Sequence, residues 1–182
     1  MPAYDGFKSV VKQIPHGNNG IFVSVDHLMN FIRTGRRNPD VVAFARRLVQ
    51  HCPNKDYVCE ARAIFDWIQA NIRFTRDPNN VELLQGPEVT LRSDVRCGDC
   101  DDHVILLQSL LQAIGIPTRV VLVASQNAAP NMYNHIFTEA LLPVNGQDTW
   151  VAMDTTPMKS NGQLASFGYL PKGYTETRRE VT

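Results

Sequence analysis

Apolar residues in the first 115 positions recur at helical spacing, and those that follow alternate. Ser24 or Asp26 can cap a helix carrying Leu28, Met29, Phe31 and Ile32, which Gly35 ends. Asn38-Pro39, a capping residue followed by proline at the first helical position, opens a second helix with Val41, Val42, Phe44, Ala45, Leu48 and Val49. Pro53 stops it. Asp56 opens a third, whose Val58, Ala61, Ile64, Phe65, Ile68 and Ile72 mark one face. Arg76 to Asn80 reads as a turn, and a long connection runs from Val81 to Arg96. From Gly98 to Ile114 the apolar positions Val104, Ile105, Leu106, Leu107, Leu110, Leu111 and Ile114 wrap most of the circumference, so this helix is expected at the centre of the molecule. Gly115 and Pro117 end it.

The period then falls to two. Thr118–Ala124, His135–Leu142 and Thr149–Thr155 read as strands, with Asn145-Gly146 as the turn between the last two. Connections this short rule out parallel crossovers, so the sheet is expected to be antiparallel. Helices first and strands second within one domain spanning 1–182 give the α+β class. Residues 1–23 read as an N-terminal arm with one short strand at Gly20–Val25. Residues 158–182 read as a C-terminal extension whose end, from Gly173, is a solvated tail.

Composition narrows the partners more than the fold. The 182 residues hold 18 Lys+Arg and 18 Asp+Glu, with 43% hydrophobic and 20% charged residues. Balanced charge gives no reason to expect nucleic acid as a partner, and no apolar run approaches a membrane span. The N-terminus lacks the basic-then-apolar pattern of a signal peptide, so the expected place of synthesis is the cytoplasm. Four cysteines in a chain so placed are expected to be reduced, each with a packing, metal or catalytic reason.

Cys100 falls at the start of the central helix, where backbone N–H groups and the helix dipole favour a thiolate. Asp99, Asp101 and Asp102 beside it oppose that effect, so an imidazole is needed to take the proton. His135, at the start of the second strand, is the best placed histidine. Asp154, at the end of the neighbouring strand, can reach it and set its tautomer. The bland alternatives are a packed thiol, a core histidine, and an aspartate capping the turn before Thr155 and Thr156.

The same residues carry a family resemblance. Gly98-Asp99-Cys100-Asp101-Asp102, the leucine-rich helix after it and Gly115-Ile116-Pro117-Thr118-Arg119 resemble the cysteine motif of the transglutaminase-like superfamily. Asn134-His135-Ile136-Phe137 and Met153-Asp154-Thr155 match its histidine and aspartate strands, and the resemblance covers roughly residues 60 to 157. It implies a papain-like core and a thioester formed with a peptide or glutamine carbonyl. Water would then complete hydrolysis, or an amine crosslinking, on a protein or peptide substrate. It implies for Gln85, in the connecting loop, the role of a side-chain oxyanion donor. Small stand-alone members with this cysteine motif are similar to proteins of phages and bacteria. The alternative is therefore a phage particle component that keeps the fold for assembly, with phage structural proteins as partners and the virion as location. A third reading makes Cys97 and Cys100, spaced C-x-x-C, a zinc or redox module. No cofactor is expected, and the calcium sites of the large animal enzymes are not carried over. His103 reads as a packing or surface histidine.

Overall fold

The computed structural model describes residues 17–78, 81–125, 132–157, 164–169 and 174–181. Three helices come first: α1 (Asn18–Gly35), α2 (Pro39–Val49) and α3 (Tyr57–Asn71). Asn38 caps α2 by accepting from the Asp40 amide at 2.9 Å, and Asp56 caps α3 by accepting from the Cys59 amide at 2.9 Å. Strand β1 (Arg73–Phe74), the short helix α4 (Pro87–Thr90) and strand β2 (Cys97–Gly98) follow. Helix α5 (Cys100–Ala113) leads to strands β3 (Thr118–Ser125), β4 (His135–Val144), β5 (Gln147–Met153) and β6 (Tyr174–Val181). The main sheet is antiparallel in the order β5-β4-β3-β6, and β1 pairs with β2 in parallel.

Helix α5 is the central element that its all-round apolar pattern requires. Its residues from Asp102 to Leu111 are all buried. Leu106, Leu107, Leu110 and Leu111 pack with Ile64, Phe65 and Ile68 of α3 and with Leu142 and Met153 of the sheet. Val104 and Ile105 pack with Leu28 and Ile32 of α1 and with Val120, Leu122 and Ile136. The buried Gln108 sets its register on the sheet. Its Nε2 donates to Thr138 Oγ1 at 3.3 Å, and its Oε1 accepts from Thr118 Oγ1 at 2.9 Å.

Four expectations change. The segment Gly20–Val25 is not a strand but part of the first two turns of α1, because burial of Gly20, Ser24, Val25 and Leu28 outweighs the weak propensity of Asn18-Asn19-Gly20. Residues 1–16 lie outside the described residues. Residues 174–181 are not a solvated tail: their backbone pairs with β3 as an edge strand, from Val120↔Val181 to Ser125↔Tyr174. The connection from Val81 to Arg96 holds α4 and ends on the parallel β1–β2 pair. Finally, not all the thiols are reduced. Cys52 and Cys59 form a disulfide, because the α2–α3 hairpin brings their Cα atoms to 5.8 Å. Cys97 and Cys100 are free.

The α2–α3 hairpin that this bond closes contributes Val49, Asn54 and Tyr57 to a cavity also lined by Ala113 and Ile114, at the C-terminal end of α5. Cys100 starts the same helix, about 20 Å away at 1.5 Å per residue. Reduction with dithiothreitol is therefore expected to lower stability by about 2.5 kcal/mol, the loop-closure value for a span this short. The reactivity of Cys100 is expected to stay unchanged. Thermal denaturation and thiol labelling with and without reductant check both halves.

Candidate active site

The N-terminus of α5 is fixed from behind. Strand β1 continues α3 directly, and the Arg73 amide donates to Arg96 O at 2.9 Å and the Thr75 amide to Gly98 O at 2.8 Å, which clamps Cys97-Gly98. Gly98 has no room for a side chain: an added Cβ would lie 2.4 Å from Asp102 Cβ. Asp99 is extended and caps α5, its carboxylate accepting from the Asp101 amide at 3.0 Å. Cys100 is thus the first helical residue. It is half-buried and packs against the apolar cluster of α1, α5 and the sheet that includes Ile136.

His135 and Asp154 meet as the strand order requires. Thr138 of β4 lies opposite Met153 of β5, so the chain just past β5 runs alongside the start of β4. His135 Nε2 lies 2.7 Å from Asp154 Oδ2, with both residues buried. The other carboxylate oxygen accepts from Thr156, from its amide at 3.0 Å and its hydroxyl at 2.7 Å. Burial pushes the Asp154 carboxyl up. The hydrogen bonds from His135 and Thr156 and the His135 charge outweigh it and hold the group below the usual carboxylate range. The imidazole ring stacks at 27° on Phe137, two residues along the same strand face.

Gln85 lies beside this helix start with its amide committed. Its side-chain nitrogen donates both hydrogens, to Cys97 O at 3.0 Å and to Asp102 Oδ2 at 2.8 Å, while its backbone amide donates to Asp102 Oδ1 at 2.7 Å. In this arrangement it anchors the connecting loop to Asp102.

The acidic side chains at the helix start are largely desolvated. Burial, then Asp77, raise Asp99 to about 6; burial, then Asp99 and Asp77, raise Asp102 to about 7 against its bonds from Gln85. Asp101 is pushed well above its usual value by burial, Glu82 and Asp99. Cys100 Sγ lies 3.6 Å from Asp101 Oδ1. These carboxyls therefore oppose a thiolate less at low pH than at high pH.

Raised carboxyl values mean that the folded protein binds more protons than the unfolded chain. Their contribution is complete below about pH 4 and is lost as pH rises through about 6 and about 7. Asp154 acts in the opposite sense and weakens the fold only in acid. Melting temperature is thus expected to fall between about pH 4 and about pH 7. Asp99→Asn, which keeps a capping oxygen, is expected to flatten the fall, as scanning calorimetry across that range checks.

Among the described residues, two trios bring possible ligand atoms within 4.8 Å of one another: His51, Cys52 and Cys59, and Asp99, Cys100 and Asp101. The first is spent on the disulfide. The second mixes a thiol with hard carboxylates, and Cys97 is in neither.

Four further residues hold the surroundings of the pair. Gln69, on α3, donates to Ala165 O at 2.8 Å and Asp154 O at 3.4 Å. Thr156 holds the carboxylate. His103, on α5, is buried with its Nδ1 2.9 Å from Thr155 Oγ1. The signal for His103 and Thr155 was positional: one lies a turn past the cysteine, the other next to the aspartate.

Comparison with known proteins identifies a family for the chain. The sequence model of the transglutaminase-like superfamily matches residues 42–155. No curated protein sequence matches the chain. Among solved structures, a Parabacteroides distasonis protein provisionally described as a protease superposes with a TM-score of 0.53 at 18% identity, over 74% of this chain and 31% of that one. A Cytophaga hutchinsonii protein provisionally described as a cysteine protease gives 0.48 at 19% identity, over 79% and 48%. LapG of Legionella pneumophila gives 0.47 at 16%, over 70% and 72%. The chain thus spans about a third and about half the length of the first two.

Proposed function

This chain belongs to the transglutaminase-like superfamily, and we propose that it is a cysteine-dependent acyl-transfer enzyme acting on protein or peptide amides, with Cys100 as nucleophile. The observation that carries the reading is the buried 2.7 Å pairing of His135 Nε2 with Asp154, just past the start of a helix that begins with a free cysteine. With Nε2 donating to the carboxylate, the basic lone pair of His135 is on Nδ1. That nitrogen takes the Cys100 proton as sulfur attacks the amide carbonyl. The α5 dipole and first-turn amides favour negative charge on the thiolate and on the oxyanion that follows. The imidazolium then returns the proton to the leaving amine, and the carbonyl carbon stays on sulfur as a thioester. Water, deprotonated by the same imidazole, releases the acid and makes the enzyme a peptidase or amidase; an amine in its place would crosslink. Asp154 stays ionised throughout, as its lowered value allows.

Mass spectrometry of the protein after incubation with peptide amide substrates tests this. The expected result is an acyl adduct on Cys100 whose decay gives free acid faster than it gives amine conjugate. An adduct on Cys97, or turnover undiminished when Cys100 is blocked, would overturn it.

A further inference from the structure

His103 follows Cys100 by three residues and so lies one turn further along the same face of α5. Its ring is 2% exposed, sits beside Phe74 at 6.3 Å between centroids, and bonds Thr155 Oγ1 through Nδ1 at 2.9 Å. The second ring nitrogen, Nε2, is buried and has no hydrogen-bond partner among the described residues. An imidazole with one unpaired buried nitrogen is a poor way to fill space, since a leucine would pack there without an unsatisfied polar atom. The bond it does make is at an informative place. Thr155 lies between Asp154, which holds His135, and Thr156, which holds Asp154.

We propose that His103 is a positioning residue: it ties the helix that carries Cys100 to the Asp154-Thr155-Thr156 segment, and so keeps the His135–Asp154 pair in register with the nucleophile. The proposal rests on the acyl-transfer reading for its purpose, though not for its geometry. Gln69 holds the same segment from α3 through Asp154 O and Ala165 O, so the segment is pinned from both helices that flank it. His103 does not exchange protons in this role. Burial lowers it to about 4, against a smaller upward pull from Asp154, which is the charged group that bears on it, and it is neutral near pH 7.

The test uses the full chain with His103→Leu, His103→Asn and Thr155→Val. Two readouts are followed: the pH dependence of Cys100 alkylation by iodoacetamide, and the His135 ring-proton resonances in NMR. His103→Leu and Thr155→Val are expected to slow alkylation at pH 7 about tenfold, the low end for loss of an orienting partner. Both are expected to move the His135 titration midpoint, with melting temperature kept or raised. His103→Asn places an amide atom as far from Cβ as Nδ1 and is expected to restore the wild-type profile. Leucine and valine variants that titrate and alkylate like wild type would overturn the proposal. If wild-type Cys100 proves unreactive, the acyl-transfer reading fails; the His135 resonances then still decide whether His103 holds the pair.

Discussion

Cys100→Ala is expected to eliminate acyl-enzyme formation and to lower turnover by at least about 10⁴-fold, the range seen when a nucleophile is removed from a catalytic group that works as a unit. The fold is expected to survive. Cys100 is half-buried at the first position of α5, where alanine suits the helix, and the cap on Asp99 does not involve the sulfur. Loss of stability beyond about 1 kcal/mol would be out of line with the removal of one partly exposed atom. Kinetics and thermal denaturation of the same preparation separate the two effects. The other free thiol, Cys97, does not substitute, because it sits in β2 ahead of the helix.

Asp154→Asn is expected to cost nearly as much activity by a different route. Thr156 directs two donors, its amide and its hydroxyl, at Oδ1. An asparagine must leave its carbonyl oxygen there and turn its NH₂ toward His135 Nε2. Two donors cannot face each other, so Nε2 must give up its hydrogen and become the acceptor. The proton then resides on Nδ1, and the imidazole no longer has a lone pair on that side to take a proton from sulfur. A fall of about 10⁴-fold in turnover is expected, with Cys100 alkylation at pH 7 slowed as well. Asp154→Ala, by contrast, strands the His135 and Thr156 donors in a buried site and is expected to destabilise the fold by about 3 kcal/mol. NMR of the His135 ring in Asp154→Asn, with the proton found on Nδ1, checks the mechanism.

What the sequence disclosed about this molecule follows from which forces are local. Capping at Asn38 and Asp56, the stop at Gly115-Pro117, the all-round burial of α5 and the alternation of β3, β4 and β5 are written in neighbouring residues. The pairing of His135 with Asp154 follows from adjacent strands joined by Asn145-Gly146 and needed no long-range information. Long-range contacts were not legible. The start of α1 is helical against its own Gly and Asn content because α5 buries it. Strand β6 is almost wholly polar, and an edge strand held by backbone bonds needs no apolar period. The spacing of Cys52 and Cys59 carried no sign of a bond until two helices folded back on each other. His103 reads as a packing or surface residue and is buried; its bond to Thr155 distinguishes it.

The central claim is that His135 activates the Cys100 thiol. The rate of alkylation of Cys97 and of Cys100 against pH, read by peptide mass spectrometry in wild type and in His135→Ala, tests it most directly. The account predicts fast labelling of Cys100 at neutral pH and below, lost in His135→Ala, with Cys97 slow in both. Equal and slow labelling of the two thiols, unchanged by the histidine substitution, would contradict it.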